Sequence, residues 1–436
     1  MSRTRLDPPE TVRGIAATLE KAGFETWCVG GAIRDALLGH PHLDWDLATA
    51  APPEKVRQLF KRTVPVGIEF GTVGVLDKDN VMHEVTTFRR DIKTDGRHAV
   101  VEFGASLEED LARRDLTINA MAYSPVSDSL ADPFGGQRDL DARIIRAVGD
   151  ARQRMTEDRL RALRAIRFAA RFEFEIDPET WAAIVESAPH MSRLSAERVR
   201  QEIEKTMEQV RAPSRAFGMW HSSGAFATLV PPLANADAES FKVLDCLPLP
   251  RAGGRPQRKT TRIAALFALV PAATASKLLR GLRFSNVEIN WITALIDRWQ
   301  SLRTEMTQAL DSREGPSDAM LRRWAARSGR TLLAPVVRLA SAFWAAERDA
   351  GRAAPTAAKI RSAYRRAIRI AYRDPIEVAD LVVDGDDLKS AGITGPAVGA
   401  TLRNLLETVI NDPSANTREN LLGLIVARRA SGQAQP

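Results

Sequence analysis

The sequence predicts an α+β protein in which an N-terminal mixed sheet with helices is followed by wholly helical domains. Strands are predicted where short runs are rich in β-branched and aromatic residues, at 27–29, 43–47, 72–76 and 81–88. Residues 52–60 predict a helix that begins at a proline. From Thr156 onward the pattern is helical, rich in Ala, Leu and Arg, and no alternating strand stands out.

The length of the chain and its breaks predict several domains. At 436 residues the chain is too long for one ordinary core. Clustered prolines and glycines at residues 248–256 predict a break between helical stretches. The domains that we expect are 1–150, 151–215, 216–350 and 351–436.

Composition favours an RNA-handling protein of a reducing compartment. The chain holds 62 lysines and arginines against 55 aspartates and glutamates, a net charge of +7, and a modest positive excess suits RNA. Only two cysteines occur, Cys28 and Cys246, which argues against disulfides and against a zinc site. The polar start and the lack of an 18-residue apolar run predict neither a signal peptide nor a membrane partner, so we expect a cytoplasmic protein.

Two aspartates, Asp44 and Asp46, are the most informative feature of the chain. They share one face of the predicted strand 43–47, because side chains alternate along a strand. Neighbouring carboxylates repel each other unless a divalent cation lies between them. The alternative is an Asp-x-Asp pair in an ordinary turn. We expect these two residues to hold Mg²⁺.

A glycine pair lies about ten residues before the aspartates, in the segment GGAIRD at residues 30–35. An apparent helix follows over residues 32–38. Backbone N–H groups at a helix start bind phosphate, and Gly31 lets a phosphate come close. With the basic Arg34 and the two aspartates, the segment predicts a site for a nucleoside triphosphate and Mg²⁺.

A second motif, RRDLTINAM, occupies residues 113–121. Adjacent arginines neutralise a triphosphate through paired hydrogen bonds, and Arg114 is the better candidate of the two. Asp115 is placed to accept a hydrogen bond from a ribose hydroxyl, which an enzyme needs in order to prefer NTPs over dNTPs. The alternative is a solvated, charged helix start.

A third motif, EDRLRALRAIRFAARF at residues 157–172, predicts a helix capped by Thr156. Asp158, Arg161 and Arg164 follow one another at three-residue steps along one face. Asp158 only accepts hydrogen bonds and Arg161 only donates them. Cytosine and adenine present an amine donor beside a ring-nitrogen acceptor, whereas guanine and uracil present a carbonyl beside an N–H. The pair therefore predicts selection of CTP and ATP, unless the helix simply carries solvated Asp–Arg pairs.

These segments closely resemble the motifs of the bacterial tRNA nucleotidyltransferase and poly(A) polymerase family, class II of the DNA polymerase beta superfamily. The resemblance implies a polymerase-beta-like head at 1–150, a base-reading neck at 151–215, a helical body at 216–350 and a tRNA-binding helical tail at 351–436. It implies Asp44 and Asp46 as catalytic residues with two Mg²⁺ ions, and attack of an RNA 3′-hydroxyl on the α-phosphate of CTP or ATP. Arg164 and Arg167 match family positions that contact the nucleotide.

Two segments bear on the choice among the relatives. Poly(A) polymerases of the family usually carry a basic patch where this chain reads GIEFGTV at residues 67–73, which favours the tRNA enzyme. Enzymes that add only CC tend to lack a loop that here is intact at residues 89–98, which favours addition of the full CCA. Poly(A) polymerase, CC-adding and A-adding enzymes stay as alternatives, and a non-enzymatic tRNA-binding protein is disfavoured because every catalytic and base-reading residue is present.

Two further assignments stay open at the level of sequence. Glu84 is either a third carboxylate beside the metal or a strand residue in an ordinary ion pair. In the last third of the chain, a basic helix either contacts tRNA phosphates or is simply a solvated face. Its cationic residues are Lys359, Arg361, Arg365, Arg366, Arg369 and Arg373.

Overall fold

The computed structural model describes residues 6–40, 44–94, 99–250 and 257–430. The chain divides into two compact units, Met1–Ala238 and Glu239–Pro436. The finer division into four domains stays a prediction. Three predicted features lie partly outside the described residues. They are the strand at 43–47 (position 43), the loop at 89–98 (positions 95–98) and the break at 248–256 (positions 251–256).

The first unit contains the mixed sheet that the sequence predicts. Its strands are β1 (Thr26–Val29), β2 (Asp46–Thr49), β3 (Thr63–Pro65), β4 (Thr72–Leu76), β5 (Met82–Thr87), β6 (Arg89–Thr94), β7 (Ala99–Phe103), β8 (Ala122–Ser124), β9 (Ser129–Ala131), β10 (Ile144–Ile145) and β11 (Glu175–Ile176). The main sheet has the order β3-β4-β5-β2-β1-β8-β9, in which β2 and β5 are parallel and the other neighbours are antiparallel. β6 pairs with β7, and β10 with β11.

Helices surround this sheet and continue beyond it to the end of the first unit. They are α1 (Glu10–Lys21), α2 (Gly31–Leu37), α3 (Pro53–Leu59), α4 (Leu107–Ala112), α5 (Gly136–Asp141), α6 (Ala151–Glu157), α7 (Leu160–Phe172), α8 (Pro178–Ser187), α9 (Ala196–Gln209), α10 (Pro213–Ser222), α11 (Ala225–Leu229) and α12 (Pro231–Ala234). The sheet and the helices share a core in which Val29, Ala48 and Phe88 pack against Leu111 and Ala122.

The register of the sheet brings the predicted motifs to one edge. Val29, the last residue of β1, is paired with Asp46 at the start of β2 on one side and with Ala122 at the start of β8 on the other. The glycine pair directly follows Val29, and the double-arginine motif directly precedes Ala122. Segments that are distant in sequence therefore converge here, because antiparallel neighbours begin where β1 ends.

The second unit is helical throughout its described part. Its helices are α13 (Gln257–Phe267), α14 (Ala272–Gly281), α15 (Asn286–Asp311), α16 (Asp318–Ser328), α17 (Arg330–Asp349), α18 (Ala357–Arg373), α19 (Gly385–Ser390), α20 (Pro396–Asn411) and α21 (Arg418–Ala430). No single described helix is long and apolar enough to cross a membrane; one pair, Arg258–Phe267 and Ala272–Gly281, passes that test only when joined, with a bend of 116°.

Two predicted boundaries are wrong. The strand predicted at 43–47 begins only at Asp46 and runs to Thr49, so Asp44 precedes it. The predicted continuous helix over 157–172 is interrupted, because α6 ends at Glu157 and α7 begins at Leu160. Thr156 does not cap α7, since its hydroxyl donates to the Arg152 carbonyl oxygen within α6.

Candidate active site

A cleft of about 490 Å³ opens at the sheet edge where β1, β2 and β8 meet. Nine of the ten predicted site residues line it, and Asp44 is the exception. Its lining is strongly cationic, with eight arginine or lysine side chains against three carboxylates, which suits a polyanion such as a triphosphate. The lining residues are Gly30, Gly31, Arg34, Asp46, Arg113, Arg114, Asp115, Asn119, Asp158, Arg161, Arg164, Arg167, Phe168, Arg171, Lys205 and Gln209.

Asp46 is the carboxylate that β2 presents to the cleft. Burial first, and then the negative charges of Asp44 and Glu84, raise its pKa to about 6. Because Leu47 of β2 is paired with Val85 of the parallel strand β5, Asp46 and Glu84 are neighbours on adjacent strands. Burial and the neighbouring negative charges therefore disfavour the ionised form of Asp46, and a bound cation would stabilise it.

The donor set at this edge fits a hard divalent cation. Asp44 is exposed just before β2, Asp46 is half-buried at its start, and Glu84 is half-buried beside it. Carboxylate oxygens are the ligands that Mg²⁺ takes from proteins. Within the described residues, no three His, Cys, Asp or Glu side chains are already gathered into a closed metal-binding group. The residues that would hold the ion are Asp44 and Asp46, with Glu84 adjacent.

The two glycines allow arginines to approach the backbone closely. A Cβ atom added at Gly30 would lie 3.2 Å from Nη1 of Arg114, and one added at Gly31 would lie 3.2 Å from Nη2 of Arg34. Gly30 also has a φ of 79°, which disfavours any other residue there. Arg34 itself is buried and donates from Nε to Asp35 Oδ1 at 2.8 Å and from Nη1 to Asn119. These contacts involve protein groups only, so binding of the triphosphate by Arg34 stays a prediction.

Asp110 anchors the double-arginine motif, and sequence reasoning missed it. Its buried carboxylate accepts hydrogen bonds from Arg113 Nη2 at 2.9 Å and from Arg114 Nη2 at 3.2 Å. Burial alone would raise its pKa, but the charges of the two arginines hold the pKa below the usual value. Arg114 Nε is buried and has no hydrogen-bond partner. Arg113 and Arg114 follow Asp110 by three and four residues, and this helical spacing could have indicated the ion pairs from the sequence.

Asp115 is held in place from several directions. Its Oδ2 accepts from Arg164 Nε at 2.7 Å, and its Oδ1 accepts from Asn119 Nδ2 at 3.0 Å and from the Leu116 N–H at 2.9 Å. Burial opposes ionisation, yet the charge of Arg164 and these hydrogen bonds keep the pKa of Asp115 well below its usual value. The carboxylate is therefore ionised at the cleft, as an acceptor for a ribose hydroxyl must be.

The two predicted base-reading residues, Asp158 and Arg161, both line the cleft, but their side chains are bonded to other residues and not to each other. Asp158 caps the end of α6 instead of lying on α7, and its Oδ1 accepts from the Leu160 N–H at 3.0 Å. Its Oδ2 accepts from Arg198 Nη2 at 2.6 Å. Arg161 donates to Glu157 Oε2 at 2.8 Å and to the carbonyl oxygen of residue 113 at 2.9 Å. The two groups thus reach the same cleft from a helix junction and from the first turn of α7.

Arg198 was not predicted as a site residue. It lies on α9, 40 residues from Asp158, and α9 also contributes Lys205 and Gln209 to the cleft. No periodicity in the sequence links α9 to the third motif, because only the packing of α7 against α9 joins them. These contributions from α9 required the three-dimensional structure.

Arg167 lines the cleft but is held by a buried ion pair. Its Nε donates to Glu202 Oε2 at 2.7 Å and its Nη1 donates to Gln209 Oε1 at 3.1 Å. The two charged side chains are 4% and 2% exposed, so neither reaches bulk water. The pair fastens α7 to α9 and thereby fixes the back of the cleft.

We expect Glu202→Ala to lower the free energy of unfolding by about 3–5 kcal/mol, because it leaves the buried guanidinium of Arg167 without its counter-charge. Urea denaturation of the whole chain, followed by circular dichroism, measures the change. Gln201→Ala is the matched control, since Gln201 is the exposed neighbour on the same helix and its loss should cost less than about 0.5 kcal/mol. Equal stabilities of the two variants would show that the pair does not hold α7 to α9.

Two family models match the chain. The one described as "Poly A polymerase head domain" matches residues 26–146, which include β1, β2 and the double-arginine motif. The one described as "Probable RNA and SrmB- binding site of polymerase A" matches residues 173–237, which include α9.

Curated relatives match over different lengths. The CCA-adding enzyme of Limosilactobacillus fermentum is 32% identical over 430 residues, which cover 95% of this chain and 95% of that relative. The CCA-adding enzyme of Geobacillus sp. strain WCH70 is 43% identical over 225 residues, or 51% of this chain. The match spans about half the length of that second relative, 55%.

Solved structures of similar fold cover nearly the whole chain. The CCA-adding enzyme of Bacillus stearothermophilus in complex with CTP matches with a TM-score of 0.73 and 29% identity, over 98% of this chain and 99% of that one. The Thermotoga maritima CCA-adding enzyme complexed with tRNA matches with a TM-score of 0.66 over 97% of this chain and 96% of that one. At 20% identity, the second likeness shows the fold alone.

Proposed function

The chain belongs to the family of CCA-adding enzymes, and we propose from this premise that it adds CMP and AMP, taken from CTP and ATP, to the 3′ end of tRNA. The observation that carries the proposal is the gathering of Asp46 and eight predicted nucleotide-binding residues around one cationic cleft. The direct test is nucleotide incorporation into tRNAs that lack part or all of CCA.

The family consists of nucleotidyltransferases that need a divalent metal, and we propose that the metal is Mg²⁺ held by Asp44 and Asp46. When bound, such ions lower the pKa of the attacking 3′-hydroxyl and neutralise charge on the leaving pyrophosphate. The raised pKa of Asp46 supports the assignment, since burial and then the charges of Asp44 and Glu84 disfavour its ionised form, which a bound cation would favour.

The remaining residues bind and orient the nucleotide. The guanidinium of Arg114, held in place through Asp110 and partly exposed in the lining of the cleft, suits an oxygen of the triphosphate. Ionised Asp115 has three hydrogen bonds and retains acceptor capacity for the ribose, because a carboxylate offers about four lone-pair sites. Orientation of the α-phosphate toward the 3′-hydroxyl is what these contacts contribute to the rate.

Base selection falls to Asp158 and Arg161. In the structure each is held by another side chain, Asp158 by Arg198 and Arg161 by Glu157. The Asp158–Arg198 pair is partly exposed and contributes about 1 kcal/mol or less, so its exchange for a hydrogen bond to cytosine or adenine costs little. Guanine and uracil present the opposite pattern of donors and acceptors, so the exchange would leave both protein groups unpaired.

Helix α18 in the second unit carries a surface that suits tRNA phosphates. Arg361, Arg365, Arg369 and Arg373 recur at four-residue steps, and all four are exposed. Residues four apart lie on the same face of a helix, so these arginines form one basic stripe. Lys359 and Arg366 are engaged elsewhere, with the Asp311 carbonyl oxygen and with Asp318. The stripe supports tRNA as the polymer substrate.

We propose the full CCA activity on the sequence of residues 67–73 and the loop at 89–98, as against poly(A), CC-only or A-only addition. A cytoplasmic location is part of the same proposal, and both cysteines are free thiols, as a reducing compartment requires.

Lys205 is expected to bind the phosphates of the incoming nucleotide. It is half-buried in the lining of the cleft and, within the described residues, takes part in no hydrogen bond or ion pair, whereas the lining arginines are all engaged. Lys205→Ala should raise the KM for CTP and for ATP about tenfold each, because one ammonium–phosphate contact is worth roughly 1.4 kcal/mol. Steady-state incorporation at varied NTP concentration measures it. Lys21→Ala, on the exposed end of α1, is the control, and an unchanged KM for Lys205→Ala would refute the assignment.

A further inference from the structure

The ring of Phe168 is surrounded by guanidinium groups. Phe168 lies on α7, is 5% exposed and is part of the lining of the cleft. The Cζ atoms of Arg167, Arg34 and Arg164 lie 4.4, 4.8 and 5.6 Å from the centroid of its ring. Cations within about 6 Å of an aromatic ring are attracted by its quadrupole.

Each of these arginines is also held by a carboxylate. Arg34 is paired with Asp35 at 2.7 Å, Arg164 with Asp115 at 2.7 Å, and Arg167 with Glu202 at 2.7 Å. The carboxylates act on the N–H groups, while the ring attracts the cations as a whole. Two kinds of contact therefore restrict each guanidinium, and the ring of Phe168 is shared by all three.

A second aromatic ring extends the arrangement. Phe172 is stacked on Phe168, with ring centroids 5.8 Å apart and an angle of 4° between the planes. Arg34 lies 4.9 Å from the centroid of Phe172, and Arg171, another residue of the lining, also lies 4.9 Å from it. The two rings are separated by one turn of α7, so a single helix presents them side by side.

We propose that Phe168 is a positioning residue for nucleotide binding, whose ring holds Arg34, Arg164 and Arg167 in the orientation in which they meet the nucleotide. The proposal rests on the proposed function of the cleft. Like-charged guanidinium groups at this density repel one another, and the negative face of an aromatic ring lowers the cost of gathering them. Without the ring, the arginines would stay in the cleft but lose their fixed arrangement. Nucleotide affinity should therefore fall by more than any loss of folding stability explains.

A purely structural role for Phe168 predicts a different result, and Phe217 provides the comparison. Phe217 on α10 is also buried in the first unit, but its aromatic neighbours are Trp220 and Phe226. Phe168→Leu should raise the KM for CTP and ATP about tenfold, and Phe168→Tyr, which keeps the ring, should restore most of the affinity. Phe217→Leu should lower the melting temperature and leave both KM values within about twofold of the wild type.

A series of fluorinated phenylalanines at position 168 tests the role of the ring without the loss of packing that Phe168→Leu causes. Phenylalanine carrying one to five ring fluorines, placed at position 168 by nonsense suppression, weakens the quadrupole while the ring keeps nearly the same shape. The KM for CTP should rise stepwise with the number of fluorines at position 168 and stay flat at position 217. A flat series at 168, or a Phe168→Leu variant whose KM matches that of Phe217→Leu, would overturn the proposal. Wild-type protein that incorporates no nucleotide would instead refute the proposed function.

Discussion

Asp46→Ala is expected to abolish nucleotide addition while tRNA binding persists. Asp46 is the carboxylate of β2 that lines the cleft, and its loss removes a proposed ligand of the metal that the family needs. We expect the rate of CMP incorporation under saturating CTP and tRNA to fall at least about a thousandfold, since the ions stabilise transition-state charge by several kcal/mol. Filter binding of tRNA should change little, because the basic stripe of α18 is untouched.

Stability separates this loss of activity from a loss of folding. Burial and the charges of Asp44 and Glu84 already disfavour ionised Asp46, so its removal should leave the melting temperature equal to or above that of the wild type. Asp79→Ala, at the exposed turn between β4 and β5, is the control and should retain full activity. Undiminished incorporation by Asp46→Ala would eliminate the metal-binding role of this residue.

Loss of base selection is expected from Asp158→Ala and from Arg161→Ala. Each variant removes one half of the donor–acceptor pattern that fits cytosine and adenine. We expect the preference for CTP and ATP over GTP and UTP, taken as a ratio of kcat/KM values, to fall about tenfold to a hundredfold. Single-nucleotide incorporation with each NTP offered alone gives these ratios.

Glu186→Ala is the matched control for base selection. Glu186 forms an ion pair with Arg152 at 2.9 Å, both side chains are exposed, and neither lines the cleft. Its loss should alter neither activity nor selectivity. Because Asp158 is paired with Arg198 and is partly exposed, Asp158→Ala should also cost little stability. Selectivity that survives both Asp158→Ala and Arg161→Ala would show that other groups read the base.

The sequence alone predicts four of the seven strands of the main sheet, β1, β2, β4 and β5, and most of the cleft, because local signals specify them. The strands around Cys28, Val73 and Val85 are short apolar runs between turns, and the structure confirms them. Nine of the ten candidate residues line the cleft, since each belongs to a compact motif with its own chemistry. The resemblance of those motifs to one family is confirmed by a relative that matches over 95% of this chain.

What the sequence does not predict is set by a local break between two helices and by contacts between distant segments. Asp158 satisfies the helical spacing of the third motif, yet it ends α6, because its side chain accepts from the Leu160 N–H at a break between two helices. Glu202 and Arg198 look like ordinary charged residues of α9, and only the packing of α9 on α7 gives them Arg167 and Asp158 as partners. Such pairings, 35 and 40 residues apart, leave no periodic trace in the sequence.

The most direct test of the central claim is nucleotide incorporation by the purified chain with Mg²⁺. The substrates are tRNAs that end before CCA, after C and after CC, with each NTP supplied singly and in combination, and products are sized on a gel. We expect two C additions followed by one A, with no further extension and no use of GTP or UTP. A long A ladder on any RNA, a stop after CC, acceptance of only the CC-ended tRNA, or no incorporation at all would contradict it.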